Sequence, residues 1–173
     1  MRVLLMSLLM IPLVVGCGGG GKVADIGWLS VSAGGSNSCG VTTTGSVECW
    51  GWDDWEQSSS PAGTFTTVSA GGSHSCGVTA SGNVECWGDD YYGQSTPPWG
   101  FYASVSAGDN HTCAIRTTGS VVCWGTDFYG ESTPPAGTFD SVSVGNDHTC
   151  GIFSGSVECW GKNYDGESTP PEL

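Results

Sequence analysis

The sequence has few basic residues. Its 173 residues contain four lysines and arginines against 17 aspartates and glutamates, which gives a formal net charge of −13. A chain of this charge is repelled by anionic membrane surfaces and has no basic patch for phosphate groups. We therefore expect no nucleic-acid partner.

Long apolar runs are also scarce, and the one clear example is Val3 to Val15, which follows Arg2. Its 13 residues are too few to cross a bilayer as a helix, so residues 1–16 are predicted to be a signal peptide.

The residues at the end of this run, Val14-Val15-Gly16-Cys17, resemble the lipobox of bacterial lipoproteins. That resemblance implies lipidation of Cys17, contact with the membrane through this lipid only, and an outer-membrane or cell-surface location. Residues 17–27 form a glycine-rich tether.

The sequence lacks helical periodicity and instead repeats one pattern about every 37 residues. The opening aromatics of the repeats are Trp28, Phe65, Tyr102 and Phe139. The units span residues 28–64, 65–101, 102–138 and 139–173. Each unit contains signals for three short strands, with Gly and Pro at fixed offsets. We predict an all-β domain of four β-propeller-type blades that form an incomplete or open propeller.

Eight of the nine cysteines lie in hairpins at mirrored positions, and the ninth is Cys17. Directly opposed residues of an antiparallel hairpin are close enough to form a disulfide. The predicted pairs are Cys39–Cys49, Cys76–Cys86, Cys113–Cys123 and Cys150–Cys159. Zinc ligation and free thiols are the alternatives, but zinc ligands usually occur in closer pairs such as C-x-x-C.

The elements Val-Ser-Ala-Gly, His-Thr-Cys and Gly-x-Val-x-Cys-Trp-Gly resemble bacterial repeats of the regulator-of-chromosome-condensation family. That superfamily includes the β-lactamase inhibitory protein of the second type. The resemblance implies a β-propeller, usually with seven blades. The first unit departs from the pattern, because Asn37 replaces the histidine and Glu56 replaces the turn glycine. Four blades would leave two exposed end faces, and we expect dimerisation as one way to cover them.

No nucleophile motif or cofactor motif is present, so we expect neither an enzyme nor a cofactor. His74, His111 and His148 occupy equivalent positions but in different blades, too far apart for a shared metal ion. They are predicted to be hydrogen-bonded turn residues. Trp50, Trp87, Trp124 and Trp160 are predicted to be core residues.

The loops after Cys-Trp-Gly vary in content but remain acidic and aromatic. Loops on a rigid scaffold commonly carry binding sites, and aromatic residues commonly anchor interfaces. The residues proposed for partner binding are Trp52, Trp55, Tyr91, Tyr92, Phe128, Tyr129 and Tyr164. Alternatively, these aromatics pack between blades while the acids remain solvated. No loop matches a full calcium-binding array, so no metal site is assigned.

The sequence as a whole predicts a non-enzymatic, lipid-anchored envelope protein whose repeat domain binds an unidentified protein. The alternatives are an envelope scaffold without a specific ligand, or an inhibitor of a secreted or periplasmic enzyme.

Overall fold

The computed structural model describes residues 26–172. The predicted signal peptide, Cys17 and most of the tether lie outside the described residues. Within the described range the chain forms twelve strands, arranged as four separate three-stranded antiparallel sheets. Each sheet comes from one sequence unit, and we call it a blade. The all-β, four-blade architecture predicted from the repeats is confirmed.

The three strands of each blade follow one another in the chain and pair in that order. Blade 1 contains β1 (Trp28–Ala33), β2 (Asn37–Thr42) and β3 (Val47–Gly51). Blade 2 contains β4 (Phe65–Ala70), β5 (His74–Thr79) and β6 (Val84–Gly88). Blade 3 contains β7 (Tyr102–Ala107), β8 (His111–Arg116) and β9 (Val121–Gly125). Blade 4 contains β10 (Phe139–Val144), β11 (His148–Phe153) and β12 (Ser156–Gly161).

The hairpin between the second and third strands has the register expected from the mirrored cysteines. In blade 2, Cys76 lies opposite Cys86 and Val78 lies opposite Val84. The four predicted cysteine pairs form disulfides, with Cα–Cα distances of 4.0–4.1 Å. Each closes a loop of about 11 residues, which in the chain-entropy description stabilises the fold by roughly 2.5–3 kcal/mol.

The first strand of each blade lies innermost, where neighbouring blades approach most closely. The hydroxyl of Ser69 accepts a hydrogen bond from the backbone N–H of Ala107 in the next blade, at 3.0 Å. A Cβ atom on Gly71 would collide with the backbone carbonyl of Gly108. Close approach of the inner strands therefore explains the small residues of the Val-Ser-Ala-Gly element.

The apolar core lies between successive blades. One side of each blade, its forward face, carries the disulfide and two aliphatic residues; in blade 1 the buried members are Cys39, Val41 and Val47. The opposite side, the rear face, carries an aromatic residue, a valine and a tryptophan. Blade 2 presents Phe65, Val68 and Trp87 in this way, packed on the forward face of blade 1. Burying each large apolar side chain contributes roughly 1.5–3 kcal/mol.

The four blades form an open arc, as expected from the number of units. Within residues 26–172, no blade packs on the rear face of blade 1, where Trp28 is 57% exposed whereas its equivalent Phe65 is 3% exposed. The prediction that all four Cys-Trp tryptophans are core residues is wrong for Trp50, which lies on the same face and is 48% exposed. Among residues 26–172, no helix has the length and apolar character required to cross a membrane.

Candidate functional site

A row of aromatic side chains lies on the loops that follow the third strand of each blade. We call it the aromatic rim, and its members are Tyr91, Tyr92, Phe128, Tyr129 and Tyr164. Their exposed fractions are 82%, 43%, 76%, 43% and 75%. Side chains of this size are usually buried, so five exposed rings on neighbouring loops form a surface suited to binding.

The rings contact one another across loops while remaining at the surface. Tyr92 and Phe128 come from successive loops, and their ring centroids are 6.1 Å apart in an edge-to-face arrangement. Tyr129 and Tyr164 repeat this contact one loop further on, at 5.7 Å. The rim side chains therefore pack on one another between neighbouring loops and are still exposed at the surface. Their binding of a partner stays a prediction.

The backbone beneath the rim is held by hydrogen bonds within each loop. In the second loop, Asp90 accepts hydrogen bonds from the backbone N–H of Ser95 at 2.8 Å and from the hydroxyl of Thr96 at 2.7 Å. Gln94 is fully buried, and its side-chain oxygen accepts the N–H of Tyr92 at 2.9 Å. The equivalent bonds recur at Asp127 and Glu131 in the third loop. Asp90, Asp127 and Glu131 are thus structural, and the aromatic residues sit on a fixed backbone.

The rim also contacts a cation of its own chain. The Lys162 ammonium lies 5.6 Å from the ring centroids of both Tyr129 and Tyr164. It also pairs with Asp147 at 3.0 Å, and that hydrogen bond is the main cause of a raised Lys162 pKa. Aromatic faces attract cations at such distances. The rings of the rim are therefore positioned to bind positively charged groups.

The first loop contributes differently. Trp52 and Trp55 are 40% and 53% exposed. The rim rings form two contact groups, Tyr91–Tyr92–Phe128 and Tyr129–Tyr164, and among the described residues neither group includes Trp52 or Trp55. Five of the seven proposed partner-binding residues therefore take part in ring contacts with one another, and these two do not.

Two exposed aromatic residues were missed by the sequence reasoning. Trp99 is 92% exposed and Phe101 is 61% exposed, and Trp99 borders a cleft of about 430 Å³ at the outer edge of blade 2. The equivalent residues in the neighbouring unit are Ala136 and Thr138. This departure from the repeat was the signal that could have identified them.

A second polar arrangement, which we call the polar relay, lies between blades. His74 is fully buried at the start of β5, and its Nε2 lies 2.7 Å from the Thr112 hydroxyl of the next blade. Thr112 donates its own hydroxyl proton to the Gln94 carbonyl at 3.0 Å, so it accepts the proton of Nε2–H. Trp124 donates its indole N–H to the same carbonyl at 2.8 Å. The predicted turn histidine is hydrogen-bonded, but it lies in a strand and links two blades.

The relay recurs with different residues at the other two interfaces. Between blades 3 and 4, His111 donates to Thr149, with the two atoms 2.9 Å apart. Between blades 1 and 2, the Asn37 side-chain amide donates to the Ser75 hydroxyl at 2.9 Å. Asn37 therefore performs the same linkage as the histidines it replaces.

Burial determines the protonation of these histidines. Desolvation, with a smaller contribution from His111, lowers the pKa of His74 from 6.5 to about 4. Asp89, Asp90 and the backbone of Asp109 act in the opposite direction, and burial prevails. Desolvation likewise lowers the pKa of His111. Neutral imidazoles hold the blades together, which is a structural role.

Within the described part of the chain, no group of three or more His, Cys, Asp or Glu side chains is arranged to hold a metal ion.

The sequence profile of the regulator of chromosome condensation (RCC1) repeat matches residues 65–94 and 102–131. The chain carries RCC1-like repeats. The matched ranges begin at the first strands of blades 2 and 3 and end in the loops that bear the rim. No curated protein sequence matches the chain.

Several solved structures resemble the RCC1-like domain. The CRINKLY WD40 ectodomain of the Arabidopsis thaliana receptor kinase ACR4 has 35% identity and a TM-score of 0.68, over 84% of this chain and 53% of that one. The ectodomain of the Physcomitrella patens receptor kinase CR4 has 28% identity and a TM-score of 0.70, over 83% and 43%. Prp20p from Saccharomyces cerevisiae has a TM-score of 0.72 over 81% and 46%, but its 15% identity shows the fold alone. The chain spans about half the length of these structures.

Proposed function

We propose that this protein is a non-enzymatic binding module that recognises a protein partner through the aromatic rim. The observation that carries the proposal is the row of five exposed rings on loops whose backbones are fixed by internal hydrogen bonds. Large rigid aromatic side chains supply contact area at low entropic cost, and they are enriched among the residues that dominate binding energy.

The charge of the molecule indicates the kind of partner. The net charge is −13, and acidic residues such as Asp54 and Asp165 flank the aromatic positions of the loops. Lys162 already lies over two rim rings, which illustrates the contact that an arginine or lysine of a partner would make. A basic protein surface would combine cation–π contacts with complementary charge.

Proteins of similar fold support a role in protein binding. One solved structure shows Kap60 bound to yeast RCC1 (Prp20), and another concerns the binding of Prp20p to Gsp1p and histones. The fold does not by itself choose a function, so the rim residues carry the proposal for this chain.

The proposed place of action is the bacterial cell envelope. The apolar run ending in Val-Val-Gly-Cys17 supports a lipid anchor, and the glycines after it support a flexible tether. The disulfides support an oxidising compartment. An anchored module of this kind would present the rim to partners outside the cytoplasm.

The test is capture of partners from envelope extract with the wild-type chain and with a variant that carries Tyr91→Ala, Phe128→Ala and Tyr164→Ala. These side chains are mostly exposed, so their loss leaves the fold intact. We expect the variant to bind at least about tenfold more weakly, equal to about 1.4 kcal/mol. Binding should also weaken as salt is raised, because the partner is basic.

The matched control is a variant with Trp99→Ala and Phe101→Ala, which removes equally exposed aromatics from the outer edge. It should bind as the wild type does. A partner that is lost with the control variant and kept by the rim variant would place the site at the outer edge instead.

A further inference from the structure

The two uncovered ends of the arc are the two halves of one interface that the chain already makes three times. At each internal interface, a forward face packs on the rear face of the next blade. The forward face of blade 2, for example, presents Val78 and Val84, which pack on Tyr102 and Trp124 of blade 3. Blade 4 ends the arc with a forward face, and blade 1 begins it with a rear face.

Each end face keeps the apolar residues of an internal face but leaves them exposed. On the rear face of blade 1, Val31 is 69% exposed and Trp28 is 57% exposed. On the forward face of blade 4, Ile152 and Val157 are 41% and 49% exposed, whereas the equivalent Val78 is 2% exposed.

The rear face of blade 1 also has the ring geometry of a covered face. Trp28 and Trp50 meet edge to face, with centroids 5.9 Å apart at an interplanar angle of 63°. The equivalent pair Phe65 and Trp87, which lies against blade 1, has values of 6.2 Å and 66°. The unpartnered face is thus already shaped like its partnered counterparts.

Together, the two end faces carry all the hydrogen-bonding groups of one polar relay. Blade 4 supplies His148 and the backbone carbonyl of Glu167, which correspond to His111 and Glu131 at the internal interface. Blade 1 supplies the Ser38 hydroxyl and the Trp50 indole N–H, which correspond to Thr149 and Trp160. No donor or acceptor of the relay is missing from the combined set.

The first strands of blades 1 and 4 likewise carry the donor and the acceptor of one further hydrogen bond. At three internal interfaces a serine hydroxyl accepts the backbone N–H of a residue in the next blade, at 3.0–3.1 Å. The unused counterparts are the hydroxyl of Ser143 in blade 4 and the N–H of Ala33 in blade 1.

We propose that two copies of this chain associate head to tail, with the forward face of blade 4 in each copy covering the rear face of blade 1 in the other. The occupant is a second copy because each chain carries both halves of the same apolar and polar interface. Two arcs of four blades give eight, which is within the usual range for closed propellers. The two contacts are equivalent and are related by a two-fold axis along the centre of the ring.

Sedimentation equilibrium on the full chain, in density-matched detergent if lipid is attached, tests the pairing. The wild type should have twice the mass of one chain. Val31→Asp places a charge on the rear face of blade 1 only, and Val157→Asp places a charge on the forward face of blade 4 only. Each variant alone should have the mass of a single chain, since every contact needs one face of each kind. Both side chains are exposed in the single chain, so both variants should keep its fold and circular dichroism.

Mixing the two variants is the decisive measurement. The intact forward face of Val31→Asp can meet the intact rear face of Val157→Asp, so the mixture should regain a species of two chains. A control variant, Phe128→Asp, alters the rim alone and should remain paired, which separates this proposal from that of the rim.

Other results would overturn the proposal. A monomeric wild type would mean that residues 1–25 or another protein covers the rear face, or that nothing does. Variants that remain paired would place the contact elsewhere, and a mixture that stays monomeric would exclude the head-to-tail arrangement. A ladder of larger species would exclude the closed ring of two chains.

Discussion

His74 is expected to make folding stability depend on pH in the weakly acidic range. Its pKa falls from 6.5 to about 4 on folding, because burial disfavours the imidazolium. Below about pH 6.5 the unfolded chain therefore binds a proton that the folded chain does not bind until about pH 4. The free energy of unfolding has its full value above this window and decreases as the pH falls through it.

The size of the effect follows from the two pKa values. One proton of difference corresponds to about 1.4 kcal/mol per pH unit. Between about pH 7.5 and about pH 5, His74 alone should lower the free energy of unfolding by about 2 kcal/mol. The lowered pKa of His111 acts in the same direction.

Urea denaturation at the two pH values provides the measurement, and the repeats supply matched variants. His74→Asn introduces the residue that nature uses at the equivalent place, where Asn37 donates to Ser75 at 2.9 Å. The variant should lose about 2 kcal/mol of the pH dependence. Asn37→His should instead add to it, because a third imidazole would be buried between blades.

Differences between the pH values, and not the absolute stability of each variant, test the reasoning. A His74→Asn variant whose stability falls as steeply as that of the wild type, within about 0.5 kcal/mol, would refute it. So would an Asn37→His variant that is less sensitive to acid than the wild type.

Two further predictions concern a turn and the N-terminus. Glu56 has a φ of 63° where the equivalent Gly93 has 81°, so Glu56→Gly should raise the free energy of unfolding by about 0.5–1 kcal/mol and Gly93→Ala should lower it by about 1 kcal/mol. Urea midpoints that move in the same direction for both would contradict the backbone explanation. A fatty-acid analogue should label the wild type and not Cys17→Ser, and labelling that survives the substitution would exclude lipidation at that cysteine.

The blade itself was predictable because its determinants are local. The mirrored placement of Cys76 and Cys86 about a glycine turn fixes the hairpin register without knowledge of the rest of the fold. The one-residue deletion in the last unit falls in the turn, where Ser154 and Gly155 both adopt positive φ, and the pairing of Cys150 with Cys159 is preserved. The fold class followed from repeating this unit.

Contacts between blades were harder to predict because they join residues about one repeat apart. His74 looked like a turn residue, since its partner Thr112 is 38 positions away. The exposure of Trp50 depends on whether a blade precedes it, which its own sequence context does not report. The rim rings were identified as candidates from loop composition, but their contacts with one another depend on the spacing of whole blades.

The polar relay has a consequence for how the length of such an array can change. Each relay uses groups from two adjacent units only, and the Asn37–Ser75 pair of the first interface makes the same linkage as the His–Thr pairs of the other two. A chain that gained or lost one whole unit would therefore rebuild every junction from the same parts. The number of blades is set by how many copies of the unit are encoded, so duplication or deletion of a unit would lengthen or shorten the arc while each junction keeps the same hydrogen-bonded linkage.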